Sequence, residues 1–191
     1  MSFHRCIIWL SRWNKCRGFG VQSPWAYQMI RYVINEHWPY YAYDEFDNQQ
    51  LFDSAEAKKL GRFYYRLTNY RQPHVVLNYQ DSSIYTTVFK RACSKCFVKN
   101  VDIDCLASEP VVELLRMELV GDYERFFEEV LRKVDEQSVI IVENIHRKKS
   151  FRKFWKLITM DPRVIITFDL YDCGIIFFQN RRYKENYIVN F

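Results

Sequence analysis

Val139-Ile140-Ile141-Val142-Glu143-Asn144-Ile145-His146 reads as a strand running into a polar turn. Four β-branched residues in a row are too few for a helix and apolar on both faces, the pattern of a strand buried inside a parallel sheet. A basic, aromatic helix is predicted next, from Lys149 to Thr159. It stops at Asp161-Pro162, because proline pushes the preceding residue out of the helical region. Val164–Leu170 and Gly174–Gln179 then form a hairpin across Tyr171-Asp172-Cys173. Ligands of open α/β sheets bind beyond the carboxyl ends of the strands, so the turn Glu143–His146 is where chemistry belongs.

Upstream, His74–Tyr79 reads as the first core strand, Gln80–Ser83 as a turn and Ile84–Cys93 as a helix. Strand, turn and helix in that order open nucleotide-type α/β folds. Cys96–Ile103 is the next strand, with Asp102 and Asp104 near its end. Ser108 and Pro110 carry start signals that predict a helix over Ser108–Leu119. Gly121 breaks the pattern, and a further helix over Tyr123–Val134 leads into the central strand.

Before residue 71 the chain is read as helical. Ser23-Pro24 caps a helix from Trp25 to about Glu36, Pro39–Tyr43 is an aromatic linker, and Asn48–Asn69 is one long helix or two short ones. Residues 3–15 form a short amphipathic helix with Ile7, Trp9, Leu10 and Trp13 near one side. Docking that side on the domain is the plain reading; lying on a membrane is the sharp one.

With 191 residues the chain fills one core, and its charged and apolar content excludes a disordered chain. Its net charge of +5 permits a nucleic-acid or anionic-membrane partner without demanding one. The apolar run Ile7–Leu10 is too short for a transmembrane span or a secretory leader, so six reduced cysteines in a cytoplasmic protein are expected. Cys93-x-x-Cys96 is half of a zinc site or a redox pair, without further ligands in view.

Gly18-Phe19-Gly20-Val21-Gln22-Ser23-Pro24, the turn Glu143-Asn144-Ile145-His146, and the pair Thr167-Phe168-Asp169-Leu170 and Gly174-Ile175-Ile176-Phe177-Phe178 carry a resemblance. The chain resembles a family of small bacterial proteins classed among class I S-adenosylmethionine-dependent methyltransferases. Their turn reads Asp-Asp-Ile-His. The resemblance implies a Rossmann-like α/β sheet with a helical N-terminal extension over residues 1–70 and a methyltransferase-type domain over 71–191. A C-terminal antiparallel hairpin closes that sheet.

The likeness is strong at both ends and weak in the middle. The family's cofactor loop, Leu-Glu-Leu-Gly-x-Ser-x-Gly, places its glutamate at Asn78 and its glycines at Gln80 and Ile84, and keeps only Ser82. Glycines let the backbone approach the cofactor; a β-branched Ile84 blocks that approach. The interval before the central strand is also too short for all the family's strands, so the sheet is expected to be reduced in its middle. A diverged member with a degraded cofactor loop is the resulting expectation.

By the same resemblance, Asn78, Ser82 and Asp104 (or Asp102) would hold S-adenosylmethionine. Glu143 and Asn144 would hold Mg²⁺, as in cation-dependent O-methyl transfer to a small hydroxylated molecule. Equally, these two residues cap the next helix and bond loop amides. His146 is a candidate general base by its ordinary pKa, or a structural histidine. The alternative function is an inactive relative that binds RNA through Lys149, Arg152 and Lys153, interleaved with Phe151, Phe154 and Trp155. At helical spacing the same rings form a core stripe behind an ordinary solvated basic face.

Overall fold

A seven-stranded sheet carries the chain, built as β1 (Val75–Tyr79), β2 (Phe97–Val101), β3 (Leu114–Met117), β4 (Val139–Glu143), β5 (Ile166–Asp169), β6 (Cys173–Phe177) and β7 (Glu185–Ile188). The computed structural model describes residues 7–8, 10–15, 20–80, 83–180 and 183–191. Strand order is β2-β1-β3-β4-β6-β5-β7. β2, β1, β3 and β4 run parallel; β6 is antiparallel to both β4 and β5, and β7 pairs parallel with β5.

Helices cover both faces. One face carries α1 (Pro24–Met29, continued by a π-helical turn Ile30–Ile34), α2 (Tyr41–Asn48), α3 (Ala55–Arg71) and α4 (Ser83–Ala92). Met29, Phe46, Phe63, Leu67 and Phe89 from these helices share one core with Val76, Leu114, Val139 and Ile175 of the sheet. The other face carries α5 (Ile103–Ala107), α6 (Tyr123–Leu131) and α7 (Lys149–Met160). There Phe126, Phe127, Val130, Phe154 and Trp155 pack on Leu77, Leu115, Ile140, Val142 and Ile176. Successive strand residues serve opposite cores, as a doubly covered sheet requires.

The predicted strands β1, β2 and β4, the hairpin β5–β6 and helix α7 are all present. The Rossmann-like α/β expectation holds, and β2 forms an edge of the sheet. The predicted helix over Ser108–Leu119 is overturned: Leu114–Met117 is β3, paired with β1 and β4 and buried throughout. Ser108 and Pro110 instead lie in the passage that follows α5, a one-turn helix N-capped by Asp102 through a 2.7 Å bond from the Cys105 amide. The aromatic linker at Pro39–Tyr43 is corrected as well, because Tyr41 opens α2. α3 begins later than expected, behind Ser54, whose side chain accepts from the Ala57 amide at 3.1 Å.

Candidate functional site

The parallel strands β1, β3 and β4 end side by side, with Asn78 in register with Arg116, and Arg116 with Ile141. Glu143 follows two residues after Ile141, so strand alternation points Asn78, Arg116 and Glu143 toward the same face. Tyr64 of α3 and Tyr85 of α4 meet them there. The Arg116 Nε donates to Glu143 Oε1 at 2.7 Å and its Nη2 to Oε2 at 2.8 Å, a two-pronged pair. Nη2 also reaches Glu118, while Nη1 donates to the Gln80 carbonyl at 3.2 Å and to Asn78 Oδ1 at 3.4 Å. Tyr64 donates its hydroxyl to Glu143 Oε1 at 2.5 Å, and the guanidinium carbon lies 4.7 Å from the centre of the Tyr85 ring.

Both charges are removed from water, with side-chain exposures of 1 % for Arg116 and 7 % for Glu143. Burial works against the arginine's charge, but the adjoining carboxylate more than offsets it and Arg116 stays cationic with a raised pKa. Burial pushes Glu143 above the usual carboxylate value despite Arg116 and Tyr64, and the Tyr64 and Cys173 pKa values are driven up by burial and by that same carboxylate. Asn78 is fully buried behind the guanidinium, and its Nδ2 has no partner among the described residues.

This cluster takes up positions on which the family resemblance had placed ligands. Glu143, a candidate for Mg²⁺, has both oxygens bonded to Arg116 and Tyr64. Asn144 adopts a left-handed backbone (φ 63°) and its amide donates to the Asp172 carbonyl at 2.7 Å. That donor set does not fit a divalent cation, and among the described residues no group of three or more His, Cys, Asp or Glu side chains is placed to hold one. Asp104 is exposed in the first turn of α5, apart from the cluster in the bonding pattern, and Ser82 lies outside the described residues. Gln80 keeps a left-handed backbone (φ 71°) at a position where the family has glycine. Beside it the Tyr79 ring stacks on Phe126 at 3.9 Å, and its hydroxyl donates to the Val120 carbonyl at 3.3 Å.

A second polar cluster gathers on the turn after β4. His146 Nε2 lies 2.7 Å from Asp169 Oδ2 at the end of β5, and its ring stacks on Tyr171 at 5.1 Å. Arg12, from the segment ahead of α1, pairs with Asp169 Oδ1 at 2.9 Å and lies over the Tyr171 ring at 5.2 Å. Burial raises the Asp169 pKa, but the hydrogen bond from His146 and the charge of Arg12 outweigh it and hold the carboxyl below its usual value. A carboxylate-bound Nε2 carries the proton, so only Nδ1 of neutral His146 is left to act as a base.

The remaining candidates separate. Lys149, Arg152 and Lys153 lie exposed on the outer side of α7, whereas Phe151, Phe154 and Trp155 are buried against the sheet. Cys93 and Cys96 are both buried free thiols, the latter pushed up to about 11 by burial and by its neighbour. Sequence reasoning missed Arg116, Tyr64, Asp169 and Arg12. The one signal was an arginine inside the apolar run Leu114-Leu115-Arg116-Met117.

No protein-family model matches the chain, and no curated protein matches it by sequence. Solved structures do. A methyltransferase from Geobacter sulfurreducens aligns with a TM-score of 0.55 at 16 % identity, over 71 % of this chain and 85 % of its own. The SAH-bound methyltransferase from Podospora anserina aligns with a TM-score of 0.56 at 11 % identity, over 76 % of this chain and 91 % of its own. At such identities the likeness is one of architecture: the chain has a methyltransferase-like α/β fold.

Proposed function

We propose that this chain is a methyltransferase-fold protein that no longer transfers methyl groups and serves as a binding module. The supporting observation is the buried Arg116–Glu143 pair at the carboxyl ends of β1, β3 and β4. By the resemblance, a donor entering there would need the backbone after β1 and the Asn78 side chain. One guanidinium engages the Gln80 carbonyl, Asn78 and Glu143 together.

Moving Arg116 aside would leave Glu143 buried without its counter-charge, at about 3–5 kcal/mol. That is roughly two to three and a half decades of affinity, enough to turn a micromolar donor site into a millimolar one. Metal-assisted transfer has no support from Glu143, whose two oxygens are engaged by Arg116 and Tyr64. In this reading His146 and Asp169 fix the N-terminal segment through Arg12 rather than move a proton. The RNA reading keeps its cations on α7 but loses its aromatics, since Phe151, Phe154 and Trp155 are buried and unavailable for stacking on bases.

Calorimetric titration of the purified protein with S-adenosylmethionine and S-adenosylhomocysteine tests the reading. No saturable binding below about 1 mM is expected. A dissociation constant in the low micromolar range, or methyl transfer from labelled donor, would overturn it.

A further inference from the structure

The N-terminal segment sits on the domain the wrong way round for a soluble amphipathic helix. Residues 7–8, 10 and 11 are helical and Trp13–Lys15 is a 3-10 turn, so Ile7, Leu10 and Trp13, three residues apart, share one side. That side is turned to solvent, with exposures of 50 %, 63 % and 65 %. The expectation that the apolar side docks on the domain is overturned for these three residues. The segment is held by polar contacts instead: Arg12 on Asp169 and Tyr171, and the Lys15 carbonyl accepting from the Asn190 amide at 3.2 Å.

Cations stand next to this segment. Arg12 Nη2 lies 3.4 Å from His146 Nε2, so the run Arg147-Lys148-Lys149 that follows His146 begins beside the segment. All three are exposed, as are Arg152, Lys153 and Lys156 further along α7, and none pairs with a described carboxylate. α7 has no acidic residue in its first turn, and Lys148 at its N-cap makes no capping bond. Cations at the positive end of a helix are locally unfavourable, which a nearby anionic surface would relieve.

We propose that the stripe Ile7–Leu10–Trp13 and the cations Arg147–Lys149 together dock this protein peripherally on an anionic lipid surface. The chemistry on both sides of the contact favours lipid over RNA. Phosphates on a nucleic acid would use the cations and leave three exposed apolar side chains in water. A bilayer takes the apolar side chains into its headgroup boundary, and its anionic headgroups attract each nearby lysine or arginine. Arg12 holds the stripe in a fixed pose, which reduces the ordering that docking must impose. Among the described residues no helix is long and apolar enough to cross a membrane, so the attachment is to the surface. This names the partner of the binding module proposed above; the test uses no methyl donor, so its failure leaves the donor-site reading standing.

Co-sedimentation of the full chain with vesicles, in about 0.1 M salt, tests the proposal. Binding to phosphatidylcholine vesicles containing phosphatidylserine should exceed binding to phosphatidylcholine alone by at least about tenfold. Leu10→Asp, Trp13→Ser and the pair Lys148→Glu/Lys149→Glu should each reduce it at least about fivefold, with unchanged thermal melts because all four positions are exposed. Absence of binding to the anionic vesicles overturns the proposal. So does binding that only the lysine variants weaken, since a purely electrostatic face would also serve RNA, and a parallel titration with single-stranded RNA would then show the same sensitivity. A dimer in solution that Leu10→Asp dissolves overturns it too, by making a second copy the occupant of the stripe.

Discussion

Replacing Arg116 by methionine isolates the energetic role of the buried pair. Methionine keeps an apolar stem on β3 but removes two bonds to Glu143 and one each to Glu118, Asn78 and the Gln80 carbonyl. Among the described residues Glu143 then retains only the Tyr64 hydroxyl, in surroundings that leave its side chain 7 % exposed. Breaking a buried pair from one side costs about 3–5 kcal/mol, because the abandoned charge has neither water nor partner. For a domain of this size 1 kcal/mol shifts the melting temperature by roughly 2–4 °C, so Arg116→Met should melt roughly 6–20 °C below the parent.

The double variant Arg116→Met/Glu143→Leu removes the abandoned charge and should recover most of that loss. It should fall short by about 1–3 kcal/mol, because the Tyr64 hydroxyl loses its acceptor. Adding Tyr64→Phe should close the gap. Thermal and urea unfolding followed by circular dichroism measure all three. A single-variant loss below about 1 kcal/mol, or a double variant no more stable than the single, would refute the reasoning.

Gly174→Ala in β6 should destabilise by about 1–3 kcal/mol, because the new Cβ would stand 2.3 Å from the buried Trp155 ring, whereas Gly61→Ala should be milder: its equally close contact is the outer edge of the half-buried Phe52 ring, which can swing away. Urea midpoints that rank the two in the opposite order would refute this. Asp169 titrates below its ordinary value in the folded chain, so its stabilising contribution is complete above the unfolded pKa of about 3.9 and is lost as pH falls through the folded value. The parent should therefore lose melting temperature more steeply than Asp169→Asn between about pH 4 and pH 2, and equal slopes would count against the Arg12–Asp169–His146 tie.

The strands that could be read from sequence are those whose composition admits one interpretation. Val139–Val142 is β-branched throughout, and the hairpin carries its own turn between two apolar runs. Leu114–Met117 misled for a physical reason: a four-residue strand buried on both faces has no alternation, and the Ser108 and Pro110 just before it are residues that also start helices. β7 alternates half-buried and exposed residues on a sheet edge, too polar and too short to register as a strand. At the site, Glu143 was found from its place after the central strand. Its role was not, because that depends on Arg116 arriving from another strand and Tyr64 from a distant helix. The reversal of the N-terminal segment was equally hidden, since periodicity gives the apolar side but not which way it faces.

The placement of β6 governs how a nascent chain can complete itself. β4 and β5 have no direct pairing; β6, made after both, wedges between them. While the ribosome is still producing Cys173–Phe177, β4 presents a raw edge of buried-type residues, and β5 has no neighbour to lean on. Asn190 then clasps Asn35 and Lys15, and Phe191 clasps Lys59, so late-made residues fasten earlier ones. Until β6 is made the sheet stays open between β4 and β5, and unpaired strand edges of that kind are prone to aggregate in a nascent chain.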